Sequence, residues 1–345
     1  MPSTKSIKQR IRSTKNIGQI TKAMEVVSAT KMRRSQEFAL RARPYAAASL
    51  EMLQNLLART PEELMPALLK ARPVKSSALM VVTSDKGLAG AFNANVLKKA
   101  EARINAVIAR SPEPSRGATR QSRGSAQDHG IATAAAGGLA MTESTSFAFV
   151  TVGKKARDYF QRRGVPVQRS FIGFGDYSTL EDTLPVADLI LQGFLEGEWD
   201  AVEAVYMNFR TTLLQEVVVK KILPATRESI EEAVASILPE RGRYADLQPT
   251  AYNLQPLYNY EYKFEPSPTE ILNVLVPQLL HMHVHHIILE SNASEHSARM
   301  VAMKNASDNA GELIHNLTLA YNKARQANIT SELVEITAGK EALEA

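Results

Sequence analysis

No cysteine occurs anywhere in this sequence. That absence excludes structural disulfides, thiolate catalysis, cysteine-ligated zinc and thiol redox switching, and it makes the cytoplasmic side the expected address. No run approaches the roughly 18 uninterrupted apolar residues of a membrane-spanning helix, so no bilayer crossing is expected. The opening Met1-Pro2-Ser3-Thr4-Lys5 lacks the apolar core of a secretory signal. A helical pattern follows at once, which leaves no room for a transit peptide. No P-loop is present, so the chain is not expected to hydrolyse ATP by itself. Asp85-Lys86-Gly87-Leu88-Ala89-Gly90 has the wrong glycine spacing for a G-x-G-x-x-G fingerprint and reads as a tight turn between a strand and a helix. The carboxylates form no recognisable catalytic pair. His281, His283, His285 and His286 cluster, and His281 and His285 stand i,i+4, but no carboxylate completes an H-E-x-x-H arrangement. Surface or interface histidines are expected there. No catalytic residue, cofactor or metal is implied.

What the chain does have is concentrated at its ends. Residues 1–45 carry eleven Lys/Arg against two Glu, a net +9, whereas the whole chain is +5 and the other 300 residues sum to −4. Such an arm suits nucleic acid, an anionic lipid surface or an acidic protein face. Its basic residues alternate with apolar ones at helical spacing, which fits the solvated outer side of a packed helix.

Met303, Ala306, Ala310, Leu313, Leu317, Ala320, Ala324 and Ala327 recur in alternating steps of three and four. This is a narrow stripe facing one partner helix for about six turns. Five of the eight are alanine, so the partner backbone is expected to come close. Ile7, Ile11, Ile17, Ile20, Met24 and Val27 supply the expected matching stripe. The first helix is expected from a cap at Ser3 or Thr4 to at least Arg43, ahead of Pro44. The last is announced by Ser267-Pro268-Thr269-Glu270, a capping box with proline at the first helical position, and runs to about Leu343 with a kink expected at Pro277.

The middle follows a different pattern. Ser77–Thr83, Phe147–Val152, Val165–Phe171, Ala201–Phe209 and Gln215–Ile222 read as strands. Ala91–Ala109, Lys154–Arg163 and Leu184–Glu196 read as helices, so a mostly parallel sheet is expected. The three-proline segment Thr60–Pro73 reads as a linker. Residues 111–146 are rich in Ser, Gly, Ala and Thr with few large aliphatics, and read as a flexible insertion. Pro239–Pro256 is a second irregular stretch, and the tyrosines Tyr244 to Tyr262 read as strand and core residues. The fold class is therefore α/β: a long antiparallel coiled coil of N- and C-terminal helices with an inserted Rossmann-like α/β domain. Residues 1–58 form the N-terminal shaft helix, 74–265 the α/β foot domain and 267–345 the C-terminal shaft helix.

Several runs are similar to the gamma subunit of F-type ATP synthases of bacterial type. They are Ile7-Lys8-Gln9-Arg10-Ile11, Ile20 through Met32, Ser84-Asp85-Lys86-Gly87-Leu88 and Phe264 through Pro268. The C-terminal runs are Ala298 through Met303, Asp308-Asn309-Ala310, Tyr321 through Gln326 and Ile329-Thr330. Together they span the chain except 111–146. The resemblance implies a non-catalytic central rotor shaft that couples rotation of a c-ring, driven by protons, to ATP synthesis or hydrolysis at the beta subunits. The implied partners are an alternating hexamer of alpha and beta subunits, the epsilon subunit and the c-ring, with delta, a and b in the whole complex. Nucleic acid is not among them, and membrane association is through the complex only. The implied place is the cytoplasmic side of the inner (plasma) membrane, as a peripheral protein.

By position in the family's motifs, Met24, Arg299, Gln326 and Thr330 are implied contacts with the alpha/beta ring, joined by Lys22, Lys31, Arg33 and Arg34. Tyr206-Met207-Asn208-Phe209 resembles the family's Tyr-Asn-x-Phe strand near the c-ring, with Met207 in place of asparagine, so Tyr206 and Phe209 are the implied foot contacts. Plant chloroplast members carry a cysteine pair in a regulatory insertion, and 111–146 has none. Two other classes, a nucleic-acid-binding coiled coil and a Rossmann-like enzyme, lack respectively a free basic helix and a phosphate fingerprint.

Overall fold

The computed structural model describes residues 4–41, 48–49, 52–53, 55–57, 60–108, 146–174, 178–225 and 264–344. Helix α1 is Thr4–Arg41. In the foot follow β1 (Ser76–Val82), α2 (Phe92–Ile108), β2 (Ser146–Val152), α3 (Lys154–Arg162), β3 (Arg169–Phe171), α4 (Leu180–Glu196), β4 (Ala201–Phe209) and β5 (Gln215–Leu223). Helix α5 is Pro268–Glu344, 77 residues long, or about 115 Å at the α-helical rise. Its start has the expected chemistry, because the Glu270 amide donates to Ser267 Oγ at 3.3 Å. The helix is continuous through Pro277.

The sheet order is β3-β2-β1-β4-β5. β3, β2, β1 and β4 are parallel, and β5 returns antiparallel to β4. Strand periodicity of two assigns the faces. Leu79, Val81, Phe149, Val205 and Met207 join Phe92, Val96 and Phe160 of α2 and α3 in one core layer. Met80, Val82, Ala204 and Tyr206 join α4 and the root of α5, from Leu272 to Ile288, in the other. Trp199 anchors this second layer. Its indole nitrogen donates to the Ile190 carbonyl at 3.1 Å, and Gly193 leaves the space for its ring. A Cβ at Gly193 would lie 2.0 Å from Trp199 Cζ2.

Two sequence boundaries shift. Leu53 and Leu56 fall within the expected shaft helix but are buried in the foot core, as is Leu68 from the expected linker. The physical reason is that these leucines find apolar partners on α4 and α5, whereas the shaft offers a single narrow seam. The third strand shortens to three residues at the sheet edge. Residues 111–145 of the insertion, the stretch 239–256 and the tyrosines 244–262 lie outside the described residues.

Because the root of α5 and the segment after α1 both enter the foot core, α1 runs toward the foot and α5 away from it. The two are antiparallel, with Gly18 facing Ala310. Beyond Ala324 every described side chain of α5 through residue 338 is exposed, so the tip continues as a lone helix.

Candidate partner interface of the shaft

The seam of α1 is not the stripe its isoleucines suggest. The buried and half-buried positions are Ile7, Ile11, Thr14, Gly18, Thr21, Glu25, Ser28, Met32 and Ser35, in unbroken steps of four and three. Ile17, Ile20 and Val27 face outward, Ile20 with 60% exposure, and Met24 sits half-buried on the shoulder. A stripe displaced by one residue is rotated by about 100° on an α-helix. From Ile17 onward the expected stripe and the observed seam are such neighbours, while Ile7 and Ile11 lie in the seam as expected. On α5 the correction is partial, since Met303, Ala310, Leu317 and Ala324 of the expected stripe lie in the seam. Its seam runs Met300, Met303, Ser307, Ala310, Ile314, Leu317, Tyr321 and Ala324, while Leu313, Ala320 and Ala327 are exposed.

The physical reason is close packing. A Cβ on Gly18 would stand 3.4 Å from Ala310 Cβ, so the backbones are too near for isoleucine between them. Small and hydroxyl residues therefore take the seam. Thr21 satisfies its hydroxyl within its own helix, donating toward the Ile17 and Gly18 carbonyls at 3.1 Å. On one flank the small seam leaves a groove of about 480 Å³, walled by Gly18, Ala23 and Val26 on α1 and by Ala310, Gly311 and Ile314 on α5.

Most of the implied ring contacts are displayed. Lys22 is exposed and pairs with Glu25 at 3.0 Å. Arg33 and Arg34 are exposed, and Lys31 is half-buried. Gln326 and Thr330 are exposed on the lone tip, where Thr330 Oγ1 donates to the Gln326 carbonyl at 3.0 Å. The basic arm is the outer face of a packed helix, as the alternation suggested.

Arg299 differs. It is 7% exposed, and its guanidinium donates to the Gly87 carbonyl at 3.3 and 3.2 Å and to Glu295 one turn back at 2.5 Å. This side chain fastens the shaft to the Ser84–Gly90 turn and is not free to reach a partner. The turn is fixed on its other sides as well. Asp85 accepts from the Lys154 amide at 2.7 Å and from the Gly173 amide at 2.8 Å. Asn93 Nδ2 donates to Ser84 Oγ at 2.8 Å. The first amide of α3 is thereby satisfied by the turn. Leu88, in the left-handed region at φ 64°, is held out into solvent by this frame. Nothing in the sequence marks Leu88, Ile17 or Ile20 as surface groups, since an apolar residue alone does not announce exposure.

In the foot, Tyr206 is fully buried in the α4/α5 layer and offers no contact surface. β4 is covered on both faces, so Tyr206 packs in one core layer and its neighbours Val205 and Met207 in the other, while Phe209, at the strand's end, is half-exposed. The hairpin beyond displays Leu213, 85% exposed, and Leu214. The histidines divide among partners. His281 meets Asp188 at 2.8 Å, His285 meets Thr183 at 3.1 Å, and His286 meets Glu290 at 3.1 Å. No group of three metal-ligating side chains occurs among the described residues. Burial, with Lys220 and His286 nearby, pushes His283 down to about 3. Burial and His286 push His285 down to about 4, against the pull of Asp182.

A family profile described as ATP synthase matches residues 3–118 and 126–343. The ATP synthase gamma chain of Roseiflexus castenholzii is 39% identical over 346 residues, covering 99% of both chains. That of Trichormus variabilis is 37% identical over 348 residues, covering 99% of this chain and 100% of the relative. Among solved structures, the Euglena gracilis mitochondrial ATP synthase OSCP/F1/c-ring in rotational state 3 aligns with a TM-score of 0.58 at 17% identity, covering 99% of this chain and 94% of its own. The Tetrahymena thermophila mitochondrial ATP synthase central stalk and c-ring aligns at 0.51 and 20%, covering 84% and 99%. The chain belongs to the ATP synthase gamma chain family, a non-catalytic part of a membrane-bound complex.

Proposed function

We propose that this family member is the central rotor shaft of a proton-driven ATP synthase, seated in an alternating alpha/beta hexamer with its foot on the epsilon subunit and c-ring. The observation that carries the reading is α5, one unbroken helix that starts in the foot core and ends as a lone tip. Torque applied to the foot reaches the tip along a single hydrogen-bonded rod. The delta, a and b subunits complete the assembly. The place is the cytoplasmic side of the bacterial plasma membrane, peripheral and held through the complex.

Coupling is differential binding. A shaft whose surface differs on each side favours one conformation of each neighbouring catalytic subunit, and turning it moves that preference around the ring. Met24, Lys22, Lys31, Arg33 and Arg34 supply the lower ring contacts, and Gln326 and Thr330 the upper ones. Arg299 acts as a positioning residue, keeping the Ser84–Gly90 turn and Leu88 at a fixed height on the shaft. In the foot, the contact assigned to Tyr206 passes to Phe209 and the Leu213–Leu214 hairpin.

Reconstitution with cognate alpha and beta subunits tests this. Expected are ATPase activity dependent on this chain and rotation of a bead on the foot in steps of a third of a turn. A chain that joins no alpha/beta ring is not a rotor shaft. Deleting 111–145 then tests the insertion as a brake on rotation in one direction; unchanged hydrolysis and synthesis rule that out.

A further inference from the structure

Arg299 has a further neighbour besides Gly87 and Glu295. Its Nε and Nη2 serve those two acceptors, and its third nitrogen, Nη1, lies 3.3 Å from Nδ1 of His296. A guanidinium carries only donors, so this hydrogen bond exists only when Nδ1 of the imidazole is bare. His296 is 3% exposed, as deeply buried as the arginine beside it. The unprotonated nitrogen completes the set of acceptors around a buried cation.

The surroundings give a second positive charge no relief. On α5 the charged neighbours within a turn are Glu295 and Arg299, already paired with each other. The turn brings Asp85, engaged by the amides of Lys154 and Gly173, and the exposed Lys86. On α1, the register that sets Gly18 against Ala310 brings Met32 level with His296. The charged residues of α1 within a turn of that height, Lys31, Arg33 and Arg34, are all cations. The β4–β5 hairpin meets α5 where Ser297 donates to the Thr212 carbonyl, and its Arg210 and Glu216 stand 3.9 Å apart. An imidazolium at His296 would face the guanidinium as a like charge with little water between them.

We propose that His296 is a pH-sensitive positioning residue: its neutral ring holds Arg299 on the Gly87 carbonyl, and its protonation frees the Ser84–Gly90 turn from the shaft. The direction follows from the lone pair. An imidazolium has none on Nδ1, so the joint is complete when the ring is neutral and opens when acid charges it. The joint needs no partner chain, whereas its consequence for coupling rests on the rotor reading.

Amide hydrogen exchange on the full chain between pH 7.5 and 5, expressed as protection over the unstructured rate, tests it. Peptides covering 84–90 lose about tenfold in protection, while those of β1, 76–82, keep theirs. His296→Gln supplies a carbonyl acceptor that does not titrate, so its turn stays protected throughout. In a reconstituted ring, torque per ATP falls over the same pH range in the native chain and not in the variant. A flat profile at 84–90 in the native chain overturns the switch, as does an equal loss in His296→Gln or in β1. A variant unprotected at pH 7.5 overturns the acceptor role. Loss of protection with unchanged torque removes the consequence for coupling. Failure to join any ring overturns the rotor reading, and the free-chain profile still decides the joint.

Discussion

The foot and the shaft are built by opposite rules, although one helix, α5, belongs to both. In the foot, Trp199, Phe149, Phe160, Phe194 and Tyr206 are almost wholly buried, and glycine appears where a ring needs the room. In the middle of the shaft Gly18, Thr21 and Ser28 form the contact itself, and Ile17 and Ile20 are left outside. A domain that folds alone must bury its large apolar groups within itself. A shaft that works inside other subunits needs them on its surface. Comparing the two shows where this molecule's stability resides and where its unmet surface lies.

The sharpest way to separate the regions is to cut into each. Trp199→Ala should destabilise the foot by about 3–5 kcal/mol, the usual cost of emptying an aromatic core site. Chemical denaturation followed by far-UV circular dichroism checks this. Arg299→Ala tests the joint between them. It removes the cation that Glu295 and the Gly87 carbonyl share, and losing hydrogen bonds to a charged group costs about 1–3 kcal/mol. Arg299→Lys should recover part of that. If the joint positions the Ser84–Gly90 turn, both variants lower torque per ATP in single-molecule rotation more than they lower ring affinity.

Acid should weaken the foot before the shaft. His283 and His285 have folded values of about 3 and about 4, below their unfolded value near 6.5. The unfolded chain therefore binds more protons between those limits. Stability is fully present above about pH 6.5 and falls as the pH drops toward 4 and then 3. His283 contributes a loss of about 1.4 kcal/mol per pH unit in that window. His283→Leu should flatten the pH dependence of the denaturation midpoint between pH 6.5 and 4. An unchanged slope would mean the histidine is protonated in the folded state.

The smallest effects belong to the shaft. Ser35→Ala removes a buried hydroxyl with no hydrogen-bond partner and should be neutral or stabilising by up to about 1 kcal/mol. Ile20→Ala should shift free-chain stability by no more than about 0.5 kcal/mol, as exposed substitutions do. A loss of 2 kcal/mol or more at Ile20 would place it in the seam and erase the contrast between the two regions.

The histidine cluster and the Tyr206 strand show how far local pattern reaches. Sequence spacing offered the histidines no third metal ligand, and in the fold His281, His285 and His286 take separate partners, Asp188, Thr183 and Glu290. It assigned Tyr206 to a contact by motif position, yet both faces of β4 are covered and the ring lies in the α4/α5 layer. Arg299 was legible as important and not as buried, since its acceptor at Gly87 is 212 residues away. Contacts of that separation leave no periodic trace.

What the sequence by itself determined is the set of elements. The caps at Ser267 and Pro268, the two-residue alternation of the strands and the four-three spacing at both ends are local, and each is decided within a few residues. What only the tertiary structure decided is which face of α1 turns inward. The helix carries two adjacent stripes at the same spacing, Ile17-Ile20-Met24-Val27 and Gly18-Thr21-Glu25-Ser28, one residue apart. Hydrophobicity favours the first and close backbone approach the second. Only the opposed Ala310 decides between them, because at 3.4 Å from the position of a Gly18 Cβ it leaves no room for isoleucine.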